Sequence, residues 1–161
     1  MTITTADLCD DKEAVLRDGD ISILPGQWHW FGQERSLNGV LSTVEARGCN
    51  HEIRQALAES GRDRVLLIDA SGEQGACIGE NLALLASRNG WAGLIVHGNV
   101  RDAADLKNIP LGIVALGTWP ARSENKAGGR RDVPLLIQSV QVEAGSVVCA
   151  DEDGVVILRH R

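Results

Sequence analysis

The run Ala92–Val96 limits the fold more than any other stretch of this chain. It lies in GWAGLIVHGNVRDAADL, apolar throughout and bounded by glycine on both sides. Five residues are too few for a buried helix, and the flanking glycines mark turns, so the run reads as a buried strand. Two further runs share this character, Arg64–Ala70 (RVLLIDA) and Leu111–Leu116. Helical segments alternate with them: NHEIRQALAESG from Asn50, with Asn50 as its N-cap, GENLALLAS at Gly79–Ser87, and ADLKNI after Arg101–Asp102. Continuous apolar strands separated by helices imply parallel strands joined by right-handed crossovers. On this reading the central strand ends at His97-Gly98, and a polar turn carries Arg101 and Asp102.

The remainder reads as shorter pieces. Thr5 caps a helix over TADLCDDKEAVL, and Ile21–Leu24 and Val40–Ala46 are strands. The tail is mostly strand, at Leu135–Val142, Ser146–Cys149 and Val155–Leu158, with turns at Ala144-Gly145 and Asp151–Gly154. The expectation is α/β, a single domain over residues 1–161 with a mixed sheet and a β-rich C-terminal layer. QWHWFGQERSLNG places Trp28, Trp30 and Phe31 in a polar segment, where they cover the core edge or form an oligomer contact, and His29 reads as packed. The loop GTWPARSENKAGGRRDVP is long and rich in turn formers, as functional or mobile loops often are.

Composition excludes several classes. The formal net charge is -6 and no basic block exceeds Arg130-Arg131, which argues against direct nucleic-acid binding through phosphates. No run approaches the roughly 18 apolar residues of a membrane span. The N-terminus lacks the basic head and apolar stretch of a signal peptide, and four scattered cysteines fit reduced thiols, so a cytoplasmic protein is expected. Neither GxGxxG nor GxxxxGK occurs, so dinucleotide and nucleoside triphosphate sites are disfavoured. There is no GxSxG or HExxH, and His29, His51, His97 and His160 show no zinc spacing.

Two turns follow clear strands and fall at one edge of the expected sheet, where open α/β sheets bind ligands. One offers Gly79, Glu80, Asn81 and Leu82 at a helix start, whose free N–H groups can hold a carboxylate. The other offers Arg101, a planar fork for carboxylates, and Asp102, a hard oxygen donor for a cation. Locally the pair also reads as a plain helix start with a solvated arginine. His97 is close enough in sequence to line the cleft but reads as packing, and Asp151-Glu152-Asp153 reads first as a turn.

The runs RVLLIDASG, GENLALLASRNGWAGLIVHGNVRDAADL, LGIVALGTWP and ADEDGVVIL, in this order, resemble the family of regulator of ribonuclease E activity A (RraA) and 4-hydroxy-4-methyl-2-oxoglutarate aldolase. The resemblance implies an α/β/α-like sandwich of swivelling β/β/α character, assembled as a trimer or a dimer of trimers. The aldolase branch carries a glycine about twenty residues before Arg-Asp and an acid three residues after that Asp. Gly79, Arg101, Asp102 and Asp105 match. The family's substrate loop maps onto Gly79, Glu80, Asn81 and Leu82, its substrate arginine onto Arg101 and its metal ligand onto Asp102. The loop usually reads Gly-Asp; here Glu80 stands for the acid that positions a water. The activity implied is a divalent-metal-dependent (Mg²⁺ or Mn²⁺) aldolase releasing pyruvate from 4-hydroxy-2-oxo acids, with oxaloacetate decarboxylation as a side activity, Arg101 and Glu80 catalytic. The alternative is an RraA-type inhibitor of ribonuclease E without catalysis. Neither turn holds a lysine, which argues against a Schiff-base aldolase.

Overall fold

The computed structural model describes residues 3–11, 21–124 and 128–159. The far end of the expected first helix, residues 12–16, and His160 lie outside the described residues. The helices are α1 (Thr5–Asp10), α2 (His51–Leu57), α3 (Glu80–Arg88) and α4 (Ala103–Leu106). The strands are β1 (Ile21–Ile23), β2 (His29–Trp30), β3 (Leu37–Glu45), β4 (Arg64–Asp69), β5 (Ala76–Ile78), β6 (Gly93–Val100), β7 (Gly112–Thr118), β8 (Arg130–Arg131), β9 (Leu135–Ile137), β10 (Val140–Val142), β11 (Val147–Asp151) and β12 (Gly154–Leu158).

A 10-stranded mixed sheet runs in the order β1-β12-β11-β3-β4-β6-β7-β2, with β5 added to β6 and β8 to β3. Its centre, β3, β4, β6 and β7, is parallel. The expected runs of β4, β6 and β7 form these strands because they are apolar on both faces, and both faces are covered. On one face Leu66, Ile68, Leu94, Val96, Ile113 and Ala115 pack under the helices with Ile53, Leu57, Leu82 and Leu106. On the other, Val65, Leu67, Ile95 and Val114 meet Leu135, Ile137 and Val142 of the β9–β10 hairpin and Val148, Val155 and Ile157 of β11 and β12. Burying each of these Val, Leu and Ile side chains stabilises the fold by about 1.5–3 kcal/mol. No helix among the described residues is long and apolar enough to cross a membrane.

Four local expectations are corrected. Helix α1 is capped by Thr4, whose hydroxyl accepts the Asp7 N–H while the Asp7 carboxylate accepts the Thr4 N–H. Thr5, one residue inside, is buried and instead donates its N–H and hydroxyl to Asp151 at 2.8 and 2.7 Å. Strand β6 does not stop at His97-Gly98 but runs to Val100, because β5 pairs with its last residues at Ala76–Asn99 and Ile78–Val100. The expected strand Leu135–Val142 is a hairpin: Gln138 and Ser139 take φ of 45° and 74° and turn the chain, a conformation usually signalled by Gly or Asn. His29 is exposed rather than packed; Trp28 and Trp30 cover the edge of the β-face core, and Phe31 packs on the helical side.

The candidate cleft at the sheet's carboxyl edge

At the carboxyl end of β6 the chain makes a sharp turn. The Arg101 N–H donates to the Ile78 carbonyl at 2.9 Å, which ties the turn to β5. Asp102 then adopts φ 60°, ψ 38°, the left-handed region that aspartate tolerates better than most residues. Asp102 occupies the N-cap position of α4, yet its side chain makes no capping bond there. Its Oδ2 instead accepts the Glu80 N–H, the first of α3, at 2.9 Å. The carboxylate of one turn therefore caps the helix of the other, 22 residues away in sequence.

Gly79 makes this approach possible. A Cβ built there would lie 2.7 Å from Asp102 Oδ2 and 3.4 Å from Arg101 Cγ. Its φ of -133° is open to any residue, so close contact, not backbone freedom, requires glycine. The N–H groups of Asn81 and Leu82 lie in the first turn of α3, where the helix supplies no acceptors, and both residues line the cleft. The structure thus brings Gly79, Glu80, Asn81, Leu82, Arg101 and Asp102 around one cleft of about 140 Å³. Asp105 is exposed on α4 and does not line it.

Three further polar side chains line the cleft that the sequence did not place in a site: Asn50 and Arg54 from α2 and its cap, and Arg122 from the loop after β7. Asn50 stands at the N-cap position as expected, but its side chain makes no capping bond. Arg54 lies on an exposed helix face and Arg122 in a polar loop, where the local sequence gives no sign that they converge. Cys77 also borders the cleft, but burial, with the Glu73 charge adding to it, pushes its thiol up to about 12, so it is no nucleophile at neutral pH.

The other candidates lie elsewhere. His97 is buried on the β face beside Trp28, its Nδ1 3.6 Å from Asp69 Oδ1, too far for a hydrogen bond. Asp151 anchors α1 and receives the Asp153 N–H at 2.9 Å, while Glu152 pairs with Arg35, so the acidic run is a turn with structural duties.

The donor set bears on a metal. Among the described residues no three His, Cys, Asp or Glu side chains converge. That excludes a closed zinc cage there. One carboxylate with an oxygen left over beyond the Glu80 contact does suit a hard divalent cation that keeps most of its waters and takes further oxygens from substrate. Asp102 fits that role.

Comparison with known proteins is consistent along the chain. Residues 5–157 match the model of a family described as RraA-like, Aldolase/RraA. A protein of Alkalilimnicola ehrlichii named "Putative 4-hydroxy-4-methyl-2-oxoglutarate aldolase" is 40% identical over 161 residues, covering 99% of this chain and 97% of its own. One of Burkholderia multivorans with the same name is 38% identical over 158 residues, covering 98% and 96%. The RNA-processing inhibitor RraA of Thermus thermophilis superposes with a TM-score of 0.88 at 36% identity, covering 98% and 93%. A Geobacillus kaustophilus structure described as an S-adenosylmethionine:2-dimethylmenaquinone methyltransferase superposes at 0.90 with 34% identity, covering 99% and 96%.

Proposed function

The chain belongs to the RraA-like family, and on that premise we propose that it is a divalent-metal-dependent aldolase that cleaves 4-hydroxy-2-oxo acids of the 4-hydroxy-4-methyl-2-oxoglutarate type and releases pyruvate. The observation that carries the reading is the contact of Asp102 with the start of α3. It sets a hard carboxylate, a guanidinium and unpaired helix N–H groups around one small cleft. A pocket for a molecule as large as S-adenosylmethionine typically needs ~300 Å³ or more. The cleft here, about 140 Å³, suits a small acid.

A Mg²⁺ or Mn²⁺ ion held by Asp102 would supply Lewis acidity at the 2-oxo group. The chain's own groups account for the rest. The N–H groups of Asn81 and Leu82 hold the substrate's C1 carboxylate at the positive end of α3. Glu80, directly or through a water, takes the proton from the C4 hydroxyl. The C3–C4 bond then breaks, its electron pair stays on the pyruvate fragment, and C4 leaves as a carbonyl. Arg101 stabilises the oxygen charge that develops as C4 becomes that carbonyl. Protonation at C3 completes pyruvate. In oxaloacetate the same C3–C4 bond breaks with loss of CO₂, so decarboxylation follows from the same cleft.

The test is pyruvate release from 4-hydroxy-4-methyl-2-oxoglutarate and from oxaloacetate, with Mg²⁺ or Mn²⁺ and with chelator. Metal-dependent release supports the reading; no release at any metal concentration refutes it. The likeness to the Thermus inhibitor favours a second reading, a regulator that binds ribonuclease E, for which inhibition of that enzyme by an Asp102→Asn variant is the test. In either case we propose a homo-oligomer, a trimer or dimer of trimers. Its motive is exposed apolar surface at Ile3, Ile23, Val40 and Val147, and a 17 kDa particle in light scattering at micromolar concentration would refute it.

A further inference from the structure

We propose that Arg54 and Arg122 form a second carboxylate subsite that reads the far end of the substrate, an inference that rests on the aldolase reading of the cleft. Acidic residues outnumber basic ones, 22 to 16, so carboxylate partners are not scarce in this chain. Six of the eleven described arginines take one: Arg35 pairs with Glu152, Arg47 and Arg130 with Glu45, Arg62 with Asp63, and Arg64 and Arg131 with Glu59. Arg54, Arg101 and Arg122 have no ion pair or side-chain hydrogen bond among the described residues, and all three line the same cleft. Among the described residues Arg88 and Arg159 have no ion pair either, but neither borders the cleft.

The three cations come from three elements: α2, the turn after β6 and the loop after β7. That loop is fixed against the cleft wall, because the Ala76 N–H donates to the Ala121 carbonyl and the Ser123 N–H to the Ala76 carbonyl, both at 2.9 Å. Arg122 is thus held between two backbone bonds although its side chain is exposed. Asn50, beside Arg54, keeps its side-chain amide out of the α2 cap and adds a neutral donor.

One arginine and the α3 N–H groups already satisfy the reacting end of a 2-oxo acid. Two further unpaired guanidiniums in so small a space suit a second carboxylate, each able to bind it through a planar fork. The subsite therefore selects 2-oxo acids that carry a carboxylate at C5 over those with an uncharged tail. An uncharged tail of the same length gives the Arg54 and Arg122 guanidiniums no charge to bind and forgoes the charge-assisted hydrogen bonds that a C5 carboxylate gains there.

The test uses two unreactive probes of equal chain length, 2-oxoglutarate and 2-oxopentanoate, titrated calorimetrically with Mg²⁺ present. The parent protein is expected to bind 2-oxoglutarate at least tenfold more tightly. Arg54→Gln and Arg122→Gln should each weaken 2-oxoglutarate about tenfold and leave 2-oxopentanoate within twofold, with unchanged melting temperatures. Equal affinity of the parent for both probes, or equal loss of both in the variants, overturns the subsite. A parent that prefers 2-oxoglutarate but releases no pyruvate from any 4-hydroxy-2-oxo acid refutes the aldolase reading and leaves the subsite supported.

Discussion

Gly79→Ala tests the geometry of the cleft directly. The new Cβ would sit 2.7 Å from Asp102 Oδ2, whereas real Cβ contacts essentially never fall below 3.0 Å. The carboxylate must therefore retreat by at least about 0.3 Å, the difference between those two distances, and by about 0.7 Å to reach ordinary contact at 3.4 Å. A retreat of that size stretches the 2.9 Å bond from the Glu80 N–H past good hydrogen-bond length. Asp102 is exposed, so the lost bond costs about 1 kcal/mol or less rather than the larger figure for a buried charged acceptor. That lowers the melting temperature of a chain this size by about 2–4 °C. Catalysis is more sensitive, because a misplacement of ~1 Å can cost ~10²-fold. We expect a fall in kcat/KM for oxaloacetate of about 10–100-fold at saturating Mg²⁺, measured beside thermal melts. A double-mutant cycle with Asp102→Gly separates the cause, since removing the carboxylate should relieve the Gly79→Ala penalty in stability. Parent-level activity in Gly79→Ala, or a stability penalty that persists in the Asp102→Gly background, would refute the clash argument.

Arg101→Lys keeps the charge and loses the fork, so kcat should fall by about 10²–10³-fold while melting temperature hardly moves, because Arg101 makes no side-chain bond within the described residues. Matched losses of activity and stability would show instead that the residue holds the turn. Asp102→Asn retains an oxygen that can accept the Glu80 N–H but lacks the charge a hard cation needs; Mn²⁺ titration followed by electron paramagnetic resonance should show weakened binding with the fold intact, and unchanged affinity would place the metal elsewhere. At Asp151 burial pushes the carboxyl up, but the hydrogen bonds from Thr5, Asp153 and Gly154 outweigh it and hold it below the usual carboxylate range. A lowered folded-state pKa gives stability that is present above the unfolded value near 4 and lost as pH falls through the lower folded value. The docking of α1 should therefore begin to weaken below about pH 4 and be lost only as pH falls through that lower folded value, and Asp151→Asn should loosen it at neutral pH. Cys149, buried and bonded to the Ile3 carbonyl at 3.7 Å, reports the event: its alkylation rate should rise in the variant, and an unchanged rate would show that Asp151 does not hold the helix.

The parallel centre was legible because β4, β6 and β7 are buried on both faces and so read as continuous apolar runs. Strand β5 was not, since Ala76–Ile78 follows a glycine-rich turn and is too short to show a period. The β9–β10 turn was hidden because Gln138 and Ser139 reach positive φ without the usual residues. At the cleft, Arg101 and Asp102 stood out because a strand hands over to a helix there, and Gly79–Leu82 because a helix begins. The bond between the two turns was not visible: locally, Asp102 looks like the cap of its own helix. Arg54 and Arg122 were out of reach for a similar reason. Nothing in a solvated helix face or a polar loop says that the fold will carry both to the same opening.

Strand β6 outlasts its neighbour. Strand β4 ends at Asp69 opposite His97, and β5 takes up the vacated edge opposite Asn99 and Val100. The segment from Ser71 to Gly75 therefore joins two strands that lie against the same partner, one after the other, like two short planks nailed along one long one. Neither pairing depends on how much chain runs between them. Gly72, at φ 77°, lies within that span and has open space where a side chain would stand. Within this fold it is where added length, whether a few residues or a small folded unit, would disturb the sheet and the cleft least.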